Sequence, residues 1–157
     1  MSSAAGSTVQ FSTFWLEDRL YGINVMGVQE VTVSLPMTRV PLAPKYVFGL
    51  INLRGQISTA VDLRTLFGME KSPSNTETMN VVCNSVDMLF SFLVDRIGDV
   101  IEVTDEQFET TPETIPYEIR RFMSGVYKIE GQILSVIEVS QIAQFISEIN
   151  KQKEASI

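Results

Sequence analysis

The sequence predicts a mainly β protein in which two small barrels share a core and a single helix closes the chain. Three observations predict it. One pattern occurs twice along the chain, each copy is rich in strand formers punctuated by glycine and proline, and one amphipathic stripe lies near the C-terminus.

The repeat is read by setting Leu20–Val31 above Leu89–Val100, an offset of 69 (Leu20 to Leu89). Tyr21 meets Phe90, Ile23 meets Phe92, Val25 meets Val94 and Val28 meets Ile97. Glu30 falls on Asp99, each followed by a valine. Further on, Gly49–Ile57 falls on Gly125–Ile133 at an offset of 76 (Gly49 to Gly125), with the glycines of both ends in register. Val61-Asp62-Leu63 then sits on Ile137-Glu138-Val139, and Leu66 on Ile142.

The elements follow in order. Phe11–Leu16 carries aromatic strand formers, and Glu17-Asp18 turns the chain into a second strand where Tyr21, Ile23 and Val25 alternate with small or polar neighbours. Pro36, Pro41 and Pro44 cannot donate to a ladder, so Leu35–Lys45 is an edge or a connection. Gly49–Val61 reads as a hairpin turning at Arg54-Gly55, with Gly55 and its counterpart Gly131 placed where positive φ is needed. In the second copy Pro112–Pro116 takes the connecting part, and Ile119, Phe122 and Met123 suggest a helical turn or two. Ile142, Phe145, Ile146 and Ile149 form one apolar helical stripe, with Ser140 as its N-cap. That stripe packs on the parent domain or docks a partner.

The polar stretch Ser72–Thr78 marks the end of the first unit. The expected organisation is a flexible tail at 1–8, one domain at 9–150 made of barrel units at about 9–71 and 79–145, and a frayed tail at 151–157. Units of roughly 60–65 residues barely stabilise a core alone, so the two are expected to bury apolar surface against each other and leave a crevice between them.

Composition narrows the chemistry. The net charge is −7, and the twelve basic residues are scattered, with no cluster longer than Arg120-Arg121. That disfavours nucleic acid and anionic membrane surfaces as partners. There is no histidine and only one cysteine, Cys83, which removes the commonest general base and leaves no zinc ligand set. No intrachain disulfide can form, which fits a reducing cytoplasm. No apolar run approaches the roughly 20 residues of a membrane span, so direct membrane insertion is not expected. No cofactor motif is present, and no enzymatic activity is expected.

The segment Val40–Ile57, with its proline-rich approach and Asn52-Leu53-Arg54-Gly55 turn, followed by Val61-Asp62-Leu63-Arg64, closely resembles the central signature of the CheW family. So do Tyr21-Gly22-Ile23 followed by Val28–Val31, and Leu93-Val94-Asp95 before Ile97–Val100. The resemblance runs from about Phe11 to Phe145. It implies two five-stranded SH3-like barrels around a common core. It also implies an adaptor in bacterial signal transduction that links the cytoplasmic tip of methyl-accepting chemotaxis receptors to a CheA-type histidine kinase through the kinase's CheW-like regulatory domain. Such an adaptor is cytoplasmic and joins receptor arrays at the inner membrane through its partners. A CheW-like scaffold of a non-motility chemosensory pathway is the alternative, and a carboxylate-using hydrolase a distant one. Ser58-Thr59-Ala60 and Glu138 depart from the family pattern.

The expected partner-binding residues are Arg54, Glu30, Asn52, Gly55, Val28, Gly49, Ile97 and Val100. Arg54, at a hairpin tip, offers a planar fork of donors to a carboxylate or carbonyls. Glu30 pairs with Arg54 or faces a partner itself. Asn52 satisfies backbone groups near the turn, and Gly49 permits close backbone approach. Val28, Ile97 and Val100 line the receptor groove or pack in the core. Asp62 and Glu138 precede helical turns and are read as caps, Asp95 has no evident charged neighbour, and Cys83 is read as a buried small hydrophobe.

Overall fold

The aromatic, β-branched start of the chain forms β1 (Thr8–Leu16), which turns at Glu17–Asp18 into β2 (Arg19–Asn24). This computed structural model describes residues 7–70 and 77–155, with residues 150–155 as helix backbone alone. The expected tail up to residue 6, the expected boundary loop at 72–76, and residues 156–157 lie outside the described residues. After β2 come β3 (Val28–Val33), β4 (Val47–Leu53), β5 (Gln56–Asp62) and the single turn α1 (Leu63–Leu66). The second repeat gives β6 (Met79–Ser85), β7 (Met88–Val94), β8 (Arg96–Thr104), β9 (Phe108–Glu109), the turn α2 (Tyr117–Arg120), β10 (Met123–Ile129) and β11 (Gln132–Ile137). The chain closes with α3 (Val139–Ala155).

The strands form a six-stranded sheet of order β8-β1-β2-β11-β10-β9 and a five-stranded sheet of order β3-β6-β7-β5-β4. The assignment of 9–71 and 79–145 to one barrel each is therefore corrected. The hairpin β1–β2 of the first repeat lies among strands of the second, and the hairpin β6–β7 of the second lies among strands of the first. The exchange is sealed by two parallel pairings, β2 with β11 and β5 with β7. Parallel neighbours cannot come from one short hairpin, so each sheet must recruit a remote strand.

The duplication itself is visible in the registers. Leu20 pairs with Leu134 and Leu89 with Ser58, and these are the same contact carried along by the two offsets. Ser12 opposite Val100 corresponds to Val81 opposite Val31, and Phe14 opposite Ile97 to Cys83 opposite Val28. The bulge between Val47 and Gly49 recurs between Met123 and Gly125. Even the backbone bond from Asp62 to the Tyr46 carbonyl recurs from Glu138 to Phe122, both at 2.8 Å.

The shared core lies between the sheets. Phe14, Tyr21 and Ile23 meet Val61, Cys83, Phe90 and Phe92, with Ile142 and Ile146 of α3 packed over them. Each sheet also curls around its own smaller cluster, Phe11, Leu20, Val103, Tyr127 and Leu134 in one, Ile51, Leu53, Ala60, Val82 and Leu89 in the other. This is why β2 does not alternate. Leu20 through Ile23 are all buried, because one face serves the satellite cluster and the other the shared core. Val25 leaves the strand for a 3-10 turn, Val25–Gly27, begun when Asn24 Oδ1 accepts a bond from the Met26 N–H at 2.9 Å. The stripe Ile142, Phe145, Ile146 and Ile149 packs on the shared core, and α3 starts at Val139, ahead of the expected cap Ser140. Its helical backbone continues through 151–155, the start of the stretch read as frayed.

Candidate functional site

The two-residue turn between β4 and β5 holds both central residues at positive φ, Arg54 at +49° and Gly55 at +90°. Paired positive φ values match the right-handed twist of the flanking strands, and glycine supplies the second without a Cβ clash. Asn52 Oδ1 accepts a bond from the Gly55 N–H at 2.9 Å, which fixes the tip from below. An arginine in left-handed backbone is strained. The conformation aims Arg54 back across the sheet to form an ion pair with Glu30 of β3. Strands β3 and β4 stand at opposite ends of the five-strand order, so this pair joins the two ends and shows the sheet curled round on itself. The Arg54 side chain is 72% exposed and Glu30 only 22%, which leaves the guanidinium facing outward over a half-buried acid.

The second repeat keeps the glycine of the turn but not the charges, and Glu130, which matches Arg54, is not at positive φ. Gly131 again has positive φ, at +74°, yet the positions matching Arg54 and Glu30 are Glu130 and Asp99, two acids. The ion pair that spans the five-stranded sheet therefore has no counterpart at the matching positions of the other.

Val28 and Ile97 are half-buried and pack on the shared core, so they are core residues with an exposed flank, whereas Val100 is 59% exposed. Its repeat counterpart Val31 and the neighbouring Val33 are also exposed on β3. Sequence reading passed over these two valines, although the repeat alignment points to Val31. β3 and β8 occupy equivalent edge positions in the two sheets, so their valines form matched apolar rims. Gly49 permits close backbone approach, as read: it is buried, and a Cβ there would lie 2.6 Å from the Thr38 carbonyl oxygen.

Asp95 also differs from its reading as a residue without charged neighbours. Arg64, which follows α1's first residue, donates through Nε to Asp95 Oδ1 at 2.8 Å and through Nη2 to Oδ2. The Glu17 N–H adds a bond to Oδ2 at 2.7 Å, and Glu17 Oε1 lies 3.7 Å from Arg64. Hydrogen bonding to Asp95 raises the Arg64 pKa against the opposing effect of burial. Arg64 lies 31 positions from its partner, and nothing local in the sequence announces the pairing.

Asp62 stands at the N-cap position of α1, but its side chain makes no capping bond and instead accepts one from the Thr65 hydroxyl; Glu138 heads α3 on the surface. The departure at Ser58 has a local explanation: its hydroxyl meets that of Ser91 at 2.7 Å, both fully buried across the parallel β5–β7 pair. Cys83 is fully buried, and burial pushes its thiol up to about 12. Among the described residues no group of three potential metal ligands comes together, and no helix is long and apolar enough to cross a membrane.

Comparison with known proteins places this geometry in context. Residues 10–147 match the model of the CheW-like domain. The chain is 31% identical over 129 residues to the chemotaxis protein CheW of Rhizobium meliloti, covering 82% of this chain and 83% of that one. It is 31% identical to the chemotaxis protein CheW of Treponema pallidum, covering 85% and 81%. The crystal structure of scaffolding protein TtCheW from Thermoanaerobacter tengcongensis superposes with a TM-score of 0.77 at 26% identity, covering 85% of this chain and 91% of that one.

Proposed function

Because the chain belongs to the CheW-like domain family, we propose that it is a non-catalytic adaptor that couples methyl-accepting chemotaxis receptors to a CheA-type histidine kinase. The observation that carries this reading is the asymmetry of the duplicated hairpin. Both copies keep a hairpin with a positive-φ glycine, but only the first places a left-handed arginine before it, over an acid. An exposed pair of this kind adds only roughly 0–1 kcal/mol to stability. A feature that the second barrel does without, and that contributes so little to folding, is better explained by recognition.

In this reading Arg54, Glu30, Asn52 and Gly55 form a polar docking tip, while Val28, Ile97 and Val100 on the matched rims receive the receptor's helical tip. Gly49 lets the segment at Met37 and Thr38 pack closely on the base of the hairpin. The adaptor works in the cytoplasm, held at receptor arrays through its partners. It transmits signal because contacts made in the assembly differ between the kinase's states, and that difference shifts the kinase equilibrium. A scaffold serving a chemosensory pathway other than motility would use the same surfaces.

The test is co-sedimentation of the purified chain with a receptor signalling fragment and a CheA-type kinase. Retention of the chain with both, and stimulated kinase autophosphorylation in the ternary mixture, is expected. Retention with neither would sink the reading.

A further inference from the structure

The connection between β3 and β4 carries a surface that the adaptor reading leaves unused. Arg39 and Lys45 line one open groove of about 460 Å³, together with Met37 and Phe48. A second groove, of about 570 Å³, adjoins it through Val40, Ala43, Pro44 and Val47, which line both. Leu42, Met88 and Ile146 help to wall this second groove. Among the described residues no acid lines either groove and neither cation forms an ion pair, although the chain carries nineteen acids to twelve bases. Both cations are exposed. Leu42 is 94% exposed, and its backbone is left-handed, with φ at +63°. None of Arg54, Glu30, Val28, Ile97 or Val100 lines either groove.

An exposed leucine in left-handed backbone is disfavoured twice, by the clash of its Cβ with the chain and by the apolar surface left in water. Such a combination persists where it serves a contact. The segment is also held stiff before any contact is made. Thr38 exchanges both backbone bonds with Leu50, at 2.9 and 2.8 Å, and the Val47 N–H donates to the Pro44 carbonyl at 2.9 Å. Pro41 and Pro44 fix φ on either side of Leu42. Preformed walls reduce the ordering that binding must impose. Two uncompensated cations beside an apolar groove complement a chain that carries carboxylates next to an apolar side chain. A second copy of this chain, at net charge −7, is a poor match. We propose that the connection from Arg39 to Lys45 is a docking site for an acidic segment of a partner protein, with carboxylates on Arg39 and Lys45 and an apolar side chain in the groove beside Leu42 and Met88.

The inference goes beyond the adaptor reading and needs neither kinase nor receptor for its test. The probe is the N-acetylated, amidated hexapeptide Glu-Leu-Glu-Glu-Leu-Glu, titrated into the isotope-labelled full chain. Binding is followed by NMR at the Leu42 and Met88 methyls and at the Arg39 and Lys45 amides. Saturable shifts at all four residues are expected, absent with Gln-Leu-Gln-Gln-Leu-Gln and absent in the double variant Arg39→Ser, Lys45→Ser. Leu42→Gly removes the side chain while suiting the left-handed backbone, so binding at least fivefold weaker is expected there, with the rest of the spectrum preserved. No shift with the acidic peptide would overturn the proposal, as would equal shifts with both peptides or undiminished binding by either variant. Self-association of the chain through Leu42, or co-sedimentation with phosphatidylglycerol vesicles that the double variant loses, would give the surface to a different occupant and overturn it too.

Discussion

Arg64 and Asp95 meet at the seam between the two sheets. Arg64 lies in α1, which follows a strand of the five-stranded sheet, and Asp95 stands at the step where β7 of that sheet passes into β8 of the other. Glu17, at the β1–β2 turn of the six-stranded sheet, donates its backbone N–H to the same carboxylate, and Asp95 donates its own N–H to the Trp15 carbonyl at 3.1 Å. The side chains are 14% and 12% exposed. Removing the charge leaves a half-buried guanidinium short of its acceptor, and a hydrogen bond to a charged group contributes about 2 kcal/mol. Asp95→Asn is expected to lower unfolding free energy by about that amount in a urea titration, with the m-value unchanged.

Ser58 and Ser91 satisfy each other where water cannot reach. Truncating one strands the other, and a buried unsatisfied hydroxyl costs about 1–3 kcal/mol. Ser58→Ala and Ser91→Ala are each expected to destabilise within that range. The double variant should lose clearly less than the sum of the two, a coupling measurable by a double-mutant cycle.

The hairpin tip should behave in the opposite way. Arg54→Ala and Glu30→Ala are each expected to shift stability by less than about 1 kcal/mol, since the pair is exposed. Both should nonetheless weaken capture by kinase or receptor. Glu130→Arg, which gives the second hairpin the residue that the first carries at the matching position, is expected to leave partner capture unchanged and not to rescue Arg54→Ala. Calorimetry alongside co-sedimentation separates the two readouts.

Alkaline pH should be the chain's weak flank. Burial raises the pKa values of Cys83, Tyr21, Tyr46 and Tyr127, in each case with desolvation as the largest cause. These acids are neutral when protonated, and the folded state holds their protons to higher pH than the unfolded chain does. Their contribution is therefore complete below the unfolded values, 9.0 for the thiol and 10.0 for the phenols, and is lost as pH rises toward the folded ones, about 12 for Cys83. Unfolding midpoints should fall steadily above pH 9. At pH 8 the native thiol should react with a thiol reagent far more slowly than in denaturant.

The residues explain how much of this was legible. The repeat, the hairpin at Arg54-Gly55 and the stripe on α3 were readable because each depends on neighbours in the chain, through turn chemistry or helical spacing. The Glu30–Arg54 pair, one of two options open from the sequence, could be named because both ends lie in recognisable signature segments. Arg64–Asp95 and Ser58–Ser91 could not, since each joins positions brought together only by the parallel pairing of β5 with β7. The same pairing hid the exchange of hairpins. A repeat shows which strands are equivalent, and it is silent on which copy each one joins.

That exchange bears on how such a chain can be cut or built. Two separate copies of one half could satisfy each other's open edges through the same registers, as a two-fold symmetric homodimer does. The single polypeptide is in effect such a dimer with its subunits tethered. Fragments ending near residue 71 and beginning near residue 77 would each be left with an orphaned hairpin, and would become whole only on being mixed.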